Sequence, residues 1–320
     1  MKSYDIIVPV GRKDVKFTPR VVSYLIRCLS DVDTIYLITR NKYIQYLTEN
    51  TKSYGKCKVL DENQILKGLT FDRIKNLIKE RSPKDVNLTG WYFQQFLKLG
   101  FALSNYSKKY FLSWDADTLP LAPITFFSGD HILFNPKSEN HKAYFETLYK
   151  LMGFGRVSDY SFISESMLFS VEIVGEMIAD IELSPVQGTD WISKIIYACD
   201  IEGSKLSFSE FETYGNYCAV KYPGLYQPRH LNTFREAGMI CGRYISDKKL
   251  RKMSFDIDMA SFEMSDKPMF PYNIPNIIWE YSSIIHKVRT LSLKEVVSKL
   301  IKKNNRGKSL PNEGYFRLPN

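Results

Sequence analysis

Two short β-branched runs near the N-terminus constrain the fold most. Residues 5–10 (DIIVPV) and 34–39 (TIYLIT) are almost wholly apolar, and residues 21–29 between them have a helical pattern. Strands without a polar face are typical of sheets covered on both sides, and a strand–helix–strand order supplies the crossover that parallel pairing needs. The chain is therefore predicted to form a mostly parallel central sheet flanked by helices, an α/β fold.

Elements of the same kind continue along the chain. Further strands are predicted at 58–61, 110–114, 131–134 and 162–171, and helices at 90–104, 139–152, 172–181, 190–199 and after Ser209. No Pro- or Gly-rich linker divides them. We expect one catalytic α/β domain over residues 1–285 and a C-terminal extension over residues 286–320.

The strongest chemical signal is a carboxylate pair at a strand end. The strand YFLSW runs directly into Asp115-Ala116-Asp117. Ligands of open α/β sheets bind beyond the carboxyl ends of the strands, and Mg²⁺ or Mn²⁺ commonly joins one or two carboxylates to substrate phosphates. Asp115 and Asp117 are thus candidate metal ligands, although a bare D-x-D is more often a solvated turn.

An ordered set of segments carries a resemblance to a known family. The segments are DIIVPV, GWYFQQFLKL, YFLSWDADTLPL, FISESMLFS and FSEFETYGNY, which together reach from residue 5 to the region before residue 240. This set resembles GT-A-type glycosyltransferases, particularly bacterial enzymes of capsule and lipopolysaccharide assembly. The resemblance implies a GT-A-like fold, a nucleotide-diphosphate-sugar or CMP-sugar donor, a divalent metal, and a glycan or lipid-linked acceptor.

The resemblance also implies where the donor binds, namely after the first two strands, along the helix at 90–104 and at the D-x-D motif. The candidates are Pro9, Val10, Arg12, Thr39, Arg40, Gln94, Gln95, Lys98 and Asp115. A planar guanidinium suits a diphosphate, so Arg40 is a candidate phosphate ligand. The alternatives are surface arginines that keep the protein soluble, and a solvated helix face for the Gln–Lys group.

Carboxylates downstream of the D-x-D are candidates for a general base. By the resemblance, Glu210 or Glu212 would deprotonate the acceptor hydroxyl, with Glu165 as a weaker third candidate. The segment Ser209-x-x-Glu212 is also a capping box, in which Ser209 caps a helix and the Glu212 side chain bonds back to the Ser209 backbone amide. A late histidine completes the metal shell in related enzymes, which makes His230 a third candidate metal ligand.

The charge of the chain is concentrated at its C-terminal end. Residues 287–308 contain eight basic residues and one acidic residue, so they carry +7 of the net +9 and leave the rest nearly neutral. This argues against nucleic acid as a partner of the main domain. Residues 292–303 place apolar side chains on one helical stripe beside lysines, which is typical of a helix at an anionic membrane surface or of one docked on the domain.

The remaining features exclude some classes of protein. The five scattered cysteines contain no C-x-x-C pair, the first residues become charged too soon for a signal peptide, and no apolar run is long enough to span a bilayer. We expect a cytoplasmic protein, peripheral at most. The first strand lacks a G-x-G-x-x-G or P-loop sequence. A nucleotidyltransferase on a similar sheet and a non-catalytic binding protein with a degenerate site remain alternatives.

Overall fold

The computed structural model describes residues 2–263 together with Phe270 and Ile274. The strands of the main sheet are β1 (Tyr4–Val10), β2 (Val32–Thr39), β3 (Cys57–Asp61), β4 (Tyr110–Trp114) and β8 (Ser166–Ser170). Their order is β3-β2-β1-β4-β8, with the first four parallel and β8 antiparallel to β4. The predicted mostly parallel α/β architecture is confirmed.

Helices cover both faces of this sheet. They are α1 (Thr18–Cys28), α2 (Asn41–Thr51), α3 (Phe71–Arg81), α4 (Thr89–Gly100), α5 (Lys142–Met152), α6 (Val171–Leu183), α7 (Trp191–Ala198), α8 (Glu210–Lys221), α9 (Ala237–Cys241) and α10 (Asp247–Met253). Short 3₁₀ turns at Lys52–Tyr54, Pro83–Leu88 and Phe101–Leu103 adjoin α2 and α4. No helix in the described part of the chain is long and apolar enough to cross a membrane.

Two hydrophobic cores lie on opposite faces of the main sheet. Along β1, Ile7 belongs to one core, whereas Ile6 and Val8 belong to the other. This alternation follows from the two-residue period of a strand, whose successive side chains point to opposite faces. Because both faces are covered, β1 is buried along its whole length. This burial explains why the sequence of β1 has no polar face.

Two small sheets accompany the main sheet. Their strands are β5 (Thr118–Pro120), β6 (Phe127–Ser128), β7 (His131–Phe134), β9 (Tyr226–Pro228), β10 (Thr233–Phe234) and β11 (Met259–Ser261). β5 pairs with β11, and β7 pairs with β9. Residues far downstream are thereby brought beside the segment that follows β4.

The predicted elements agree with the observed ones in position, and their ends differ for local reasons. The strand predicted at 162–171 begins only at Ser166, because the Ser164 hydroxyl donates to the Ser166 carbonyl (2.6 Å) and holds the preceding residues in a turn. The helix predicted at 90–104 ends at Gly100 and tightens into a 3₁₀ turn. Helices α2, α3, α9 and α10 were not predicted. The boundary at residue 285 and the extension 286–320 lie outside the described residues.

Candidate functional site

The D-x-D segment occupies a tight turn at the end of β4. The Thr118 amide donates to the Asp115 carbonyl (3.2 Å), and the Trp114 indole donates to the Thr118 carbonyl (2.9 Å). The Asp115 amide donates to the Glu165 carbonyl (3.2 Å) at the neighbouring end of β8. The turn leaves both aspartate side chains half-buried at the carboxyl end of the parallel strands, as the sequence predicted.

The surroundings of Asp117 are rich in negative charge. Burial raises the pKa of Asp117 to about 7, and the carboxylates of Asp115, Asp14 and Glu263 add to this effect. Arg243 opposes it, but its guanidinium is already paired with Asp14 at 2.7 Å. Asp117 therefore lies among several carboxylates, and a divalent cation would add positive charge there.

The donor set fits a hard cation shared with a substrate. Within the part of the chain that the structure describes, no group of three or more His, Cys, Asp or Glu side chains could hold a metal by itself. Mg²⁺ is commonly held by one or two carboxylates together with substrate phosphates and water. Asp115 and Asp117 meet that requirement, and no further protein ligand is needed.

Lys98 lies beneath the D-x-D motif rather than on an outward helix face. Its ammonium is 3.3 Å from the Asp115 carboxylate and 2.8 Å from the Glu210 carboxylate, and it lies 4.3 Å from the centre of the Phe211 ring. Burial alone would lower the pKa of Lys98, but the two carboxylates outweigh burial and raise it. The amide of the buried Gln95 faces Glu210 as well. Both side chains contact Asp115 or Glu210 from the interior, and their role as donor contacts stays a prediction.

The two candidate bases have different neighbours. Ser209 caps α8 by accepting from the Glu212 amide (3.2 Å), which confirms the predicted helix start. The return bond of a capping box is not formed, since the Glu212 carboxylate accepts instead from the hydroxyl of Ser161 (2.5 Å) and the amide of Asn216 (3.1 Å). Burial raises the pKa of Glu210 and of Glu212. Only Glu210 is joined to Asp115, through Lys98.

Four of the predicted donor-binding residues share one cavity. Pro9 and Val10 from β1, Arg40 after β2 and Gln94 from α4 line a space of about 100 Å³ at the carboxyl end of these strands. Phe71 completes one wall, with the Arg40 guanidinium 5.1 Å from its ring centre. The predicted contacts therefore converge, although they come from separate segments.

Two other donor candidates lie elsewhere. The Thr39 side chain is fully buried, and its hydroxyl donates to the Val10 carbonyl (2.9 Å). It joins the ends of β1 and β2 instead of facing a ligand, so this prediction is wrong. Arg12 is exposed on the loop after β1 and is not among the residues that line the cavity.

His230 does not join the aspartate pair. Its ring is exposed, with Nε2 3.1 Å from the Asn232 side-chain oxygen, and the described residues contain no three-ligand group that would include it. Metal ligation by His230 stays a prediction. The stretch after β9 turns His230 away from β4 into a separate groove, which it lines together with Asn135 and Lys137.

Glu165 is closer to the motif than its sequence position suggested. Its carbonyl accepts from the Asp115 amide, and one carboxylate oxygen lies 3.4 Å from Lys137 and 3.7 Å from Arg235. The other oxygen, Oε2, is buried and has no hydrogen-bond partner among the described residues. Sequence reasoning missed Lys137, Arg235, Asp14 and Arg243, since none of them lies in a motif or at a characteristic spacing.

Comparison with solved structures finds partial similarity to three glycosyltransferases. The apo form of mouse xyloside xylosyltransferase 1 is 12% identical with a TM-score of 0.44, covering 84% of this chain and 100% of the other. The apo bifunctional glycosyltransferase WbbM is 8% identical with a TM-score of 0.44, covering 82% of this chain and 46% of the other. The galactosyltransferase LgtC, in complex with donor and acceptor sugar analogues, is 11% identical with a TM-score of 0.40, covering 83% and 90%. Similarity of this extent decides neither activity nor substrate.

Comparison with sequences gives one match. The sequence pattern of a family described as a family of unknown function, DUF6492, matches residues 18–251. No curated protein matches the sequence.

Proposed function

The chain belongs to the DUF6492 family, and because this membership assigns no activity, we propose a function from the site itself. The chain is a glycosyltransferase that moves a sugar from a nucleotide-sugar donor to a glycan or lipid-linked acceptor. Asp115 and Asp117 hold a Mn²⁺ or Mg²⁺ ion that binds the phosphate of the donor. The donor is a nucleoside-diphosphate sugar or a CMP-sugar.

One observation carries this proposal. A half-buried carboxylate pair lies at the end of β4, and a cavity lies at the ends of the neighbouring strands β1 and β2. That placement suits a ligand with an uncharged end and a polyphosphate end, as the crevice at the carboxyl ends of parallel strands does in other α/β proteins. Phe71 supplies an aromatic face for the nucleoside end, and the Arg40 guanidinium lies against that ring and 3.4 Å from the Glu62 carboxylate.

Some residues of the chain would hold the donor, and others position the aspartates. A bound divalent cation would act as a Lewis acid and neutralise the charge of the departing phosphate. Lys98 keeps the Asp115 carboxylate in place, and the Asp115–Glu165 backbone bond fixes the turn. Of the two candidate bases, only Glu210 is linked to Asp115, through the buried Lys98.

The proposed setting is the cytoplasmic side of a membrane. All five cysteines are free thiols, which suits a reducing compartment. The basic segment 287–308 would provide peripheral contact with an anionic leaflet.

Ligand-dependent melting tests the proposal. The full chain is heated with UDP, GDP, CDP, ADP or CMP, each with Mn²⁺, with Mg²⁺ or with EDTA. We expect one nucleotide to raise the melting temperature in the presence of the metal and to lose that effect in EDTA, since a ligand that binds only the native state stabilises it. If no nucleotide stabilises the chain with either metal, the proposal fails. Hydrolysis of the matching nucleotide sugars then identifies the donor.

A further inference from the structure

A second, larger hollow is connected to the D-x-D turn through Lys137 and Glu165. It is a groove of about 800 Å³ between the residues that follow β7 and those that follow β9. Two hydrogen bonds hold its walls together: the Arg229 amide donates to the Phe134 carbonyl (2.8 Å), and the Leu231 amide donates to the Asn135 side chain (3.1 Å). Its lining includes Asn135, Lys137, Ser138, His230, Asn232 and Asp256.

Lys137 and Glu165 connect this groove to the metal-binding aspartates. Lys137 lines the groove and its ammonium lies 3.4 Å from the Glu165 carboxylate, while the Glu165 carbonyl accepts from the Asp115 amide. The backbone of Lys137 also exchanges two hydrogen bonds with Ser161 (3.0 and 2.8 Å), which fixes the groove against the start of β8. A ligand in the groove would therefore be connected to Asp115 through Lys137 and Glu165.

Glu165 has unused hydrogen-bonding capacity. It is only 4% exposed, and its Oε2 atom has no partner among the described residues. A buried carboxylate oxygen without a donor is costly, so a water molecule or a ligand is expected to satisfy it. A polar ligand would supply Oε2 of Glu165 with a donor, either by shifting Lys137 towards it or by bringing a hydroxyl group.

The charges in and around the groove are largely balanced. Lys137 is paired with Glu165 and donates to the Thr233 hydroxyl (2.5 Å), and Arg235 is paired with Glu139. Asp256 adds a carboxylate to the lining. Such a lining disfavours an anionic ligand, whereas a carboxylate, an amide, a hydroxyl and an imidazole together can bond many sugar hydroxyl groups.

We propose that this groove binds the acceptor and that the acceptor end is a neutral, hydroxyl-rich saccharide. The inference rests on the proposed function, since it assigns the second substrate of the same reaction. Exposed His230 and Asn232, which are 3.1 Å apart, contact the sugar hydroxyls on one wall, and Ser138 contacts them on the other. Lys137 and Glu165 are positioning residues that align this substrate with the Asp115 side of the donor.

Saturation-transfer NMR on the full chain tests the assignment. The probes are neutral mono- and disaccharides (methyl glycosides of glucose, galactose and mannose, and lactose) with glucuronic acid and N-acetylneuraminic acid as anionic counterparts. The blocking variant is Ser138→Trp, at an exposed groove position, and its matched control is Ser53→Trp, at an exposed position next to α2. A His230→Ala/Asn232→Ala chain covers the case in which Ser138→Trp does not fold.

We expect at least one neutral saccharide to receive saturation from the wild type and from Ser53→Trp, with the signal reduced at least about tenfold in both groove variants. Equal signals in wild type and groove variants, signals from the anionic saccharides alone, or no signal from any saccharide would overturn the assignment. Nucleotide-dependent melting in the same samples separates the two proposals. If Mn²⁺ with a nucleotide stabilises the wild type while no neutral sugar binds the groove, the acceptor assignment fails alone.

Discussion

At the residue scale, the aspartate pair is proposed to favour cation binding and to lower the stability of the metal-free protein. Asp115 and Asp117 are proposed to hold the cation, yet burial, together with the neighbouring carboxylates, raises the pKa of Asp117 to about 7. We expect Asp115→Asn and Asp117→Asn to abolish metal-dependent nucleotide binding, a larger effect than the roughly 10–100-fold cost of losing an outer-shell partner. Melting with Mn²⁺ and the stabilising nucleotide measures it, and retention of the shift in both variants would remove the metal assignment.

The raised pKa of Asp117 also predicts a pH dependence. A carboxyl group whose pKa is higher in the folded state destabilises the metal-free protein at high pH, and this cost disappears as the pH falls through about 7 towards the unfolded value. Without metal, Asp117→Asn should therefore melt above the wild type at pH 8, and the difference should shrink towards pH 4. Melting curves of both chains in EDTA over this range test it; an Asp117→Asn chain less stable than wild type at pH 8 would contradict it.

Lys98 and Glu210 form a buried ion pair in which each charge compensates the other. Removing one member leaves an uncompensated buried charge, at a cost of about 3–5 kcal/mol. We expect Lys98→Met to lower the free energy of unfolding by about this amount and Lys98→Met/Glu210→Gln to recover much of it. Urea denaturation gives the free energies of unfolding of the wild type and of the two variants.

If Glu210 is also the base, Glu210→Gln alone should reduce turnover by on the order of 10²–10⁴. A normal rate would leave Glu210 a structural role only.

At the element scale, Asp190 joins α3 to α7. It caps α7 by accepting from the Ser193 amide (3.0 Å), and it binds Arg73 of α3 at 2.6 Å. Burial acts to raise the pKa of Asp190, but the cap and Arg73 outweigh it and lower the pKa. Its contribution is thus present above the unfolded pKa and is lost as the pH falls through the lower folded value.

Substitution of Asp190 separates these two roles. Asp190→Ala removes the cap and the ion pair and should cost about 1–2 kcal/mol of stability at pH 7. Asp190→Asn keeps a capping oxygen and loses the charge, so it should cost less. Urea denaturation at pH 7 and pH 3 compares them. Equal losses for both variants at pH 7 would show that the charge, and not the cap, holds the two helices.

At the scale of the whole molecule, most of the net charge lies in one segment outside the described residues. Residues 287–308 carry +7 of the net +9. Each basic residue near an anionic leaflet adds roughly 1 kcal/mol, and salt screens this attraction. We expect the full chain to sediment with vesicles containing an anionic lipid at low salt and to be released at high salt, whereas a chain ending near residue 283 should stay in solution. Equal, negligible sedimentation of both would leave the segment without a membrane role.

The features that the sequence by itself determined are those set by neighbouring residues. The strands β1, β2 and β4, the position of Asp115 and Asp117 at a strand end, and the Ser209 cap follow from contiguous apolar runs and local hydrogen bonds. Such interactions involve residues close in the chain, so periodicity and spacing reveal them. They sufficed to predict the fold class and the position of the D-x-D motif.

Only the tertiary structure decided which partner each polar side chain meets. Gln94 and Lys98 lie on one helix, yet Gln94 lines the cavity at the ends of β1 and β2, and Lys98 is enclosed by Asp115 and Glu210. Likewise, Glu165 reaches Asp115 only because β8 pairs antiparallel with β4, and His230 faces a groove because β9 pairs with β7. These contacts join residues far apart in the chain. Their energies depend on burial and on the packing of whole elements, which no local pattern in the sequence records.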